Sequence, residues 1–210
     1  MKTDWILDDI AWCFDQDCQC KECFRNTIHM RDPTGVHSYS NFKGTSECNL
    51  ITKIIFLDVD GVLNHSGSKS RVGGTMILGI DKELVRRLKR IVDATGAEIV
   101  LTSTWKDDWE PNRRSTQQPT KYGRYLANKL FDFKLKPIDK TTDNIIDRGT
   151  GIKTWLSRHP WVKNYVVIDD DVFRDYDEEI FRHFVHTHFI HGLTDGHVEN
   201  AISILNMKEN

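Results

Sequence analysis

Residues 54–64 read IIFLDVDGVLN, an apolar run that ends in two carboxylates, Asp58 and Asp60, followed by Gly61. The apolar residues before Asp58 are typical of a strand that is buried on both faces, as the strands of parallel sheets are. Carboxylates two positions apart repel each other, and ionised groups are costly to bury unpaired. The stretch is therefore either a strand that runs out into solvent or part of a site built around a cation.

The composition sets limits on the protein class. The chain has 210 residues, of which 39% are hydrophobic, and a formal net charge of −2. This length suits one domain of ordinary size with a small appendage. The near-neutral charge excludes a global field that attracts nucleic acid or an anionic membrane, although a local basic groove stays open. No apolar run approaches the roughly 20 residues of a membrane helix, and acids interrupt the first residues, MKTDWILDDIAW. We expect a soluble, cytoplasmic protein.

The first fifty residues differ from the rest of the chain. They hold all five cysteines and read as loop and turn, so we predict an N-terminal Cys-bearing extension over 1–50 and a main domain over 51–210. An odd cysteine count argues against a complete disulfide framework. One CxxC pair suggests a structural Zn²⁺ site, and reduced cysteines are the competing interpretation. The candidate zinc ligands are Cys18, Cys20, Cys23 and Cys48, with Cys13, His29 and His37 as alternatives.

From Lys53 onward, short apolar runs alternate with segments of helical periodicity. The predicted strands are 54–57, 97–103, 164–171 and 183–193, with a minor strand over 134–139. The predicted helices are one that Asp81 caps and Gly96 ends, one through Tyr125 and Leu130, one that carries Trp155 and stops at Pro160, and one from Val198 to Leu205. This alternation predicts an α/β fold, a three-layer α/β/α arrangement around a Rossmann-like parallel sheet.

Polar residues follow three of the predicted strands at the point where each strand ends. Asp58 and Asp60 follow the first strand, Thr102 and Ser103 end the second, and residues 169–171, all Asp, end the third. Ligands of parallel sheets bind beyond the carboxyl ends of the strands, so these groups should meet at one edge. Oxygen-rich sites of this kind select Mg²⁺, which shares substrate phosphate. Together the three strand ends favour a cation and phosphate site over three solvated ends.

These motifs resemble those of the haloacid dehalogenase (HAD) superfamily of phosphohydrolases. FLDVDGVLN resembles its first motif, IVLTS its second and VVIDDD its fourth, and the resemblance covers residues 53–207. With TSTW, RGTGIKTWL and HGLT included, the chain is most similar to the branch described from RNA-repair ("Swiss army knife") proteins. Only 65–80 and one helix separate the first two motifs, which is too short for a cap domain and implies a minimal cap.

The resemblance implies a role for each polar strand end. Asp58 would be the nucleophile that forms an aspartyl-phosphate, and Asp60 would protonate the leaving oxygen and then activate water. Gly61 would let the backbone turn closely beneath the phosphate. Thr102 would hydrogen-bond a phosphoryl oxygen, with Ser103 as the alternative.

The charged groups of the family's third and fourth motifs also have counterparts. The phosphate-binding base maps best on Arg148, with Lys153 as the runner-up, although the family often uses lysine there. For Mg²⁺, Asp170 would be a direct ligand and Asp169 would support it. Asp58 and the backbone carbonyl of Asp60 would complete the metal ligands.

The substrate is less well defined by the sequence. Trp105 and Lys106, with Trp109, Arg113 and Arg114 beyond them, follow the second motif and could bind stacked bases and phosphates, although packing and a solvated loop are the competing interpretation. We predict a Mg²⁺-dependent phosphomonoesterase for a nucleotide or a nucleic-acid end, that is, a nucleotidase or polynucleotide phosphatase. The alternatives are a small-phosphometabolite phosphatase of the same mechanism and a partner-binding adaptor with a vestigial HAD core.

Overall fold

The computed structural model describes residues 53–111, 113–142, 147–160 and 162–207. It also describes two short strands, β1 (Trp12–Cys13) and β2 (Tyr39–Ser40), which pair in parallel. The chain divides into two units, Met1–Ile51 and Thr52–Asn210. The residues of the zinc prediction, Cys18, Cys20, Cys23 and Cys48, lie outside the described residues.

The second unit is built on a parallel sheet of five strands in the order β5–β4–β3–β6–β7. The strands are β3 (Lys53–Leu57), β4 (Glu98–Leu101), β5 (Pro137–Lys140), β6 (Asn164–Asp169) and β7 (Phe184–His186). The apolar run that precedes Asp58 is the central strand β3, and the side chains of 54–57 are fully buried. A run without polar alternation suits this position because both faces of the strand are covered.

Among the residues that the structure describes, five α-helices accompany the sheet. They are α1 (Lys82–Thr95), α2 (Lys121–Phe131), α3 (Arg148–Ser157), α4 (Glu178–Arg182) and α5 (Asp195–Leu205). The predicted ends of α1 are confirmed: the Asp81 carboxylate accepts a hydrogen bond from the Glu83 amide at 2.8 Å, and Gly96 has a φ of 68°. Such a φ favours glycine because a Cβ crowds the backbone there.

Side chains that alternate along β3 enter cores on the two faces of the sheet. Ile55 and Leu57 lie in the larger core, to which α1, α2 and α5 contribute Leu88, Leu126 and Ala201. On the other face, the ring of Phe56 packs edge-on against Trp155 of α3, with the ring centroids 5.5 Å apart. The predicted α/β class with its three layers is therefore confirmed.

The hydrogen bonds of the sheet continue past the ends of the strands. The Asp58 amide donates to the Ile168 carbonyl at 3.0 Å, the Thr102 amide donates to Leu57 at 3.0 Å, and the Thr187 amide donates to Asp169 at 2.9 Å. The first residue after each of β3, β4 and β7 is thus held by a neighbouring strand. The backbone positions of Asp58 and Thr102 are set by the sheet itself.

Several predicted boundaries were wrong, and the reason is tertiary contact. The segment 183–193 forms a strand only over 184–186, because the Thr187 hydroxyl donates to the Gly61 carbonyl at 2.9 Å and the chain then turns. β4 ends at Leu101 and not at residue 103, and β6 ends at Asp169. The sequence reasoning did not predict α4. Within the described ranges, the segment between β3 and α1 holds turns and one antiparallel bridge, from Arg71 to Leu78.

None of the helices that the structure describes is long and apolar enough to cross a membrane.

Glu98 opens β4 and is partly buried, which raises the pKa of its carboxyl group. A carboxyl whose pKa is higher in the folded chain than in the unfolded chain favours folding at low pH, and this contribution is lost as the pH rises through the folded pKa. Glu98→Gln should therefore raise the melting temperature at pH 7, by on the order of 1 °C. The difference in melting temperature should vanish below about pH 4, where Glu98 is protonated in the folded chain and in the unfolded chain. Thermal unfolding at the two pH values tests this, with the exposed Glu199→Gln as control. An equal gain at both pH values would contradict it.

Candidate active site

Asp58 lies at the carboxyl end of the central strand and is only 5% exposed. Arg148, the first residue of α3, is also buried and donates from Nη1 to Asp58 Oδ1 at 2.7 Å. The same nitrogen donates to Asp169 Oδ2 at the end of β6. The Arg148 guanidinium carbon lies 4.3 Å from the ring centroid of Phe173. The structure thus brings together three predicted site residues from two strand ends and a helix N-terminus.

Burial dominates the electrostatics of these groups. It raises the pKa of Asp58 well above the usual range, Asp169 raises it further, and Arg148 opposes both. Burial also raises the pKa of Asp169, against the opposing effect of Arg148. Burial lowers the pKa of Arg148, but the two carboxylates outweigh it and the net pKa is raised. Two carboxylates share one guanidinium, so the cluster favours a further positive charge.

Asp170 adds a third carboxylate to this cluster. Burial, together with the neighbouring carboxylates of Asp171 and Asp169, raises its pKa to about 6. Oxygen atoms of Asp58, Asp169 and Asp170 lie within 4.8 Å of one another. An all-oxygen set of this kind suits a hard divalent cation, and the residues present therefore fit Mg²⁺ by donor chemistry. We refer to these three residues as the acidic cluster.

Gly61 approaches the acidic cluster more closely than any other residue type could. Its φ is 68°, and a Cβ built there would lie 2.0 Å from Asp170 Oδ2. A methyl group at this position must displace either the carboxylate or the loop. The predicted reason for Gly61 was close approach to a phosphate, whereas the contact that the structure gives is with Asp170.

Gly61→Ala should therefore weaken Mg²⁺ binding and destabilise the fold more than an alanine at an open glycine with the same backbone angle. Gly96 is the matched control, because its φ is also 68° but no atom lies within 4 Å of the added Cβ. Gly96→Ala should cost about 1–2 kcal/mol for the left-handed conformation alone. Gly61→Ala should cost at least about 1 kcal/mol more. Urea unfolding and Mg²⁺ titration by calorimetry measure both effects, and equal losses would contradict the prediction.

Asp60 lies beside the acidic cluster, and two side chains hold its carboxylate. Trp105 donates from Nε1 to Asp60 Oδ2 at 2.9 Å, and Asn64 donates from Nδ2 to Oδ1 at 2.6 Å. Asn64 is fully buried, and its Oδ1 accepts a hydrogen bond from the Gly61 amide at 3.0 Å. The sequence reasoning missed Asn64. The available signal was a polar side chain within the turn that follows an apolar strand.

Thr102 and Ser103 both lie at the end of β4, and their hydroxyl groups differ in hydrogen bonding. The Ser103 hydroxyl accepts a hydrogen bond from the Trp105 amide at 3.4 Å and thereby caps a short 3₁₀ turn, Thr104–Asp108. The Thr102 hydroxyl is buried and has no hydrogen-bond partner among the described residues. A buried hydroxyl without a partner costs free energy, so Thr102 is the better suited of the two to bind an external acceptor.

The family of the chain follows from its sequence. Residues 54–198 match the family described as the HAD domain in Swiss Army Knife RNA repair proteins. The chain belongs to this family. This confirms the superfamily and the branch that the motifs resemble, and it assigns the chain to the HAD superfamily of hydrolases. No curated protein matches the chain.

Among solved structures, this HAD domain is similar to a protein from Legionella pneumophila described as a HAD superfamily (subfamily III A) hydrolase. The two chains are 12% identical, and the similarity covers 78% of this chain and 84% of that one, with a TM-score of 0.38.

Two predicted basic residues of the HAD domain lie elsewhere than expected. Lys153 is 44% exposed and its ammonium pairs with Asp177, so the structure does not bring it to the acidic cluster. Lys106 is buried, and its Nζ donates to the Thr141 hydroxyl at 3.1 Å, just beyond β5. Of the two bases proposed for the third motif, only Arg148 contacts the catalytic-site candidates.

The loop that follows the second motif does not form one surface. Trp105 and Trp109 are 7% and 2% exposed, and both belong to the hydrophobic core. Arg113 and Arg114 line a separate cavity of about 500 Å³ together with Phe131 and Pro137. Of the five loop residues predicted to bind substrate, Trp105 is the one that contacts Asp60. Trp105 and Asp60 line a cleft of about 340 Å³, which we call the Trp105 cleft. The remaining lining residues of this cleft are Ile77, Thr104, Asp108 and Tyr122.

Proposed function

We propose that this HAD domain is a Mg²⁺-dependent phosphomonoesterase that acts through an aspartyl-phosphate on Asp58. The observation that carries the proposal is the acidic cluster, in which Asp58 lies against Arg148 and within reach of Asp169 and Asp170. A buried carboxylate beside a cation and further acids is costly for stability, and phosphoryl transfer explains the presence of all of these groups.

The reaction has two steps. In the first, a carboxylate oxygen of Asp58 forms a bond to phosphorus, the bond from phosphorus to the leaving oxygen breaks, and the proton of Asp60 passes to that oxygen. In the second, Asp60 takes a proton from water while the water oxygen attacks phosphorus. The bond to Asp58 then breaks, which releases inorganic phosphate and restores the carboxylate.

Other residues of the site bind and orient the phosphoryl group. Arg148 offsets the charge that spreads over the transferring oxygens, and the Thr102 hydroxyl donates to one of them, which would satisfy a group that is otherwise buried without a partner. Asp58, Asp170 and the backbone carbonyl of Asp60 would hold Mg²⁺, with Asp169 in support. When bound, Mg²⁺ supplies positive charge that lets the carboxylates and a phosphate share the site.

The proposed substrate is a nucleotide or a nucleic-acid terminal phosphate. Two findings support this class: the family is described from RNA repair proteins, and the Trp105 cleft beside Asp60 carries the aromatic residues Trp105 and Tyr122. Aromatic side chains stack on bases of any sequence, and Tyr122 is the more exposed of these two rings. The segment between β3 and α1 is too short for a cap domain, and this supports a large substrate over a small enclosed one.

Phosphate release tests the activity and its substrate together. The panel contains 3′- and 5′-phosphorylated oligonucleotides, mononucleotides and small phosphometabolites, each with Mg²⁺ and with a chelator. Turnover of oligonucleotides or mononucleotides that depends on Mg²⁺ would support the proposal. Turnover of metabolites alone would replace the substrate class while keeping the mechanism. No turnover of any compound would reject the phosphatase and favour a binding protein with a vestigial core.

A further inference from the structure

Asp60 is held from two sides by side chains of two different loops. Trp105 lies in the 3₁₀ turn after β4 and donates to Asp60 Oδ2, while Asn64 lies in the loop after β3 and donates to Oδ1. Each carboxylate oxygen therefore has its own donor. Two donors on separate oxygens fix the rotation of the carboxylate plane, which otherwise turns freely about the bond from Cβ to Cγ.

We propose that Trp105 and Asn64 are positioning residues that aim Asp60 at the oxygen of the leaving group. The inference rests on the proposed function, because it assigns Asp60 the transfer of a proton to that oxygen. A general acid works only within hydrogen-bond reach of the atom that it protonates, and small errors of position are costly to the rate. The two hydrogen bonds supply this alignment before substrate binds.

Neither positioning residue competes for the proton of Asp60. The indole N–H of Trp105 donates and cannot accept. The amide of Asn64 has both a donor and an acceptor end, but its oxygen is committed to the Gly61 amide at 3.0 Å, so its NH₂ group must face Asp60. Both contacts are thus donations to Asp60, and neither side chain can accept its proton.

Trp105 also links this alignment to the place where the leaving group would lie. Trp105 is one of the residues that line the Trp105 cleft, and its Nε1 atom contacts Asp60. A leaving group in this cleft contacts the same side chain that orients the acid. The positioning should therefore matter most for leaving groups that need a proton, such as alkoxides, and least for p-nitrophenolate, which leaves as an anion.

The test compares two substrates in the same protein preparation. Trp105→Phe should lower kcat by about 10²-fold on the alkyl phosphomonoester that wild type hydrolyses best. On p-nitrophenyl phosphate the same substitution should lower kcat by only about tenfold. The KM for the alkyl ester should change little. A loss of folded protein lowers both rates by one factor, so a change in the ratio of the two rates does not depend on the amount of folded protein. If Trp105→Phe gives no folded protein, Asn64→Ala removes the other donor and allows the same comparison.

Trp155 provides a matched control. It is as buried as Trp105 and donates from Nε1 to Asp139 Oδ2 at 2.8 Å, away from the acidic cluster. Trp155→Phe removes the same kind of bond and should leave the ratio of the two rates unchanged. Equal losses on both substrates in Trp105→Phe, or the same selective loss in Trp155→Phe, would overturn the proposal. If the wild type hydrolyses neither substrate, the proposed function itself has failed.

Discussion

Asp58→Asn should abolish phosphate release on every substrate that the wild type hydrolyses, with a fall in kcat of at least about 10³-fold. An amide does not attack phosphorus and cannot form the aspartyl-phosphate. Asn differs from Asp by little in size, so the site keeps its shape and the loss reports on the chemistry. Phosphate release under saturating substrate measures kcat, and mass spectrometry of acid-quenched protein should find a phosphoryl adduct on wild type alone.

Folding does not account for this loss. Burial raises the pKa of Asp58 well above its usual range, so its carboxylate weakens the fold at neutral pH. Asp58→Asn should therefore unfold at the same temperature as wild type or at a higher one when no Mg²⁺ is present. Asp195→Asn is the control, because Asp195 is an exposed surface residue that pairs with Arg87 and Arg90. Residual turnover above about a tenth of wild type would contradict the nucleophile assignment.

Arg148→Met should cause the largest loss of stability among the substitutions considered. It removes the guanidinium that bonds to Asp58 and Asp169 and leaves both carboxylates buried without a cation. Breaking a buried pair in this way costs about 3–5 kcal/mol, because the remaining charge is uncompensated. Urea unfolding in the presence of a chelator measures the loss, and added Mg²⁺ should restore part of it.

Two further variants separate charge from packing at Arg148. Arg174→Met removes an arginine from a solvent-exposed pair with Asp147 and should change stability far less. Introducing Asp58→Asn into Arg148→Met removes one of the two repelling carboxylates, so the double variant should be more stable than Arg148→Met alone. If the free energy of unfolding of Arg148→Met lies within about 1 kcal/mol of the wild-type value, the two buried carboxylates do not depend on this guanidinium for compensation.

Local sequence signals predicted the frame of the fold. The caps of α1 follow from Asp81 and Gly96 alone, since capping depends on neighbouring residues. The polar ends of β3, β4 and β6 could also be predicted, because parallel strands point their carboxyl ends to one edge. The length of β7 could not, since the hydrogen bond from Thr187 to Gly61 joins residues 126 positions apart.

The details of the candidate site depend on contacts that no periodicity encodes. Arg148 and Lys153 lie five residues apart in α3, and only the rotation of the helix against the sheet decides which one contacts Asp58. The amine of Lys106 suggested a phosphate ligand but is buried against Thr141. The contact of Trp105 with Asp60 joins two loops and needs the folded chain.

Because the sheet hydrogen bonds continue past the strand ends, the site has two parts that are held in place in different ways. Asp58 and Thr102 share the stiffness of the sheet, since the backbone amide of each donates to a neighbouring strand. Asp60 is held instead by side chains from two loops, and one of these, Trp105, also lines the Trp105 cleft. If the proposed function holds, we expect changes in those loops to alter which phosphate ester is accepted while Asp58 and Thr102 keep their positions. The family could then diversify its substrates through loop residues without changing the residue that we propose as nucleophile.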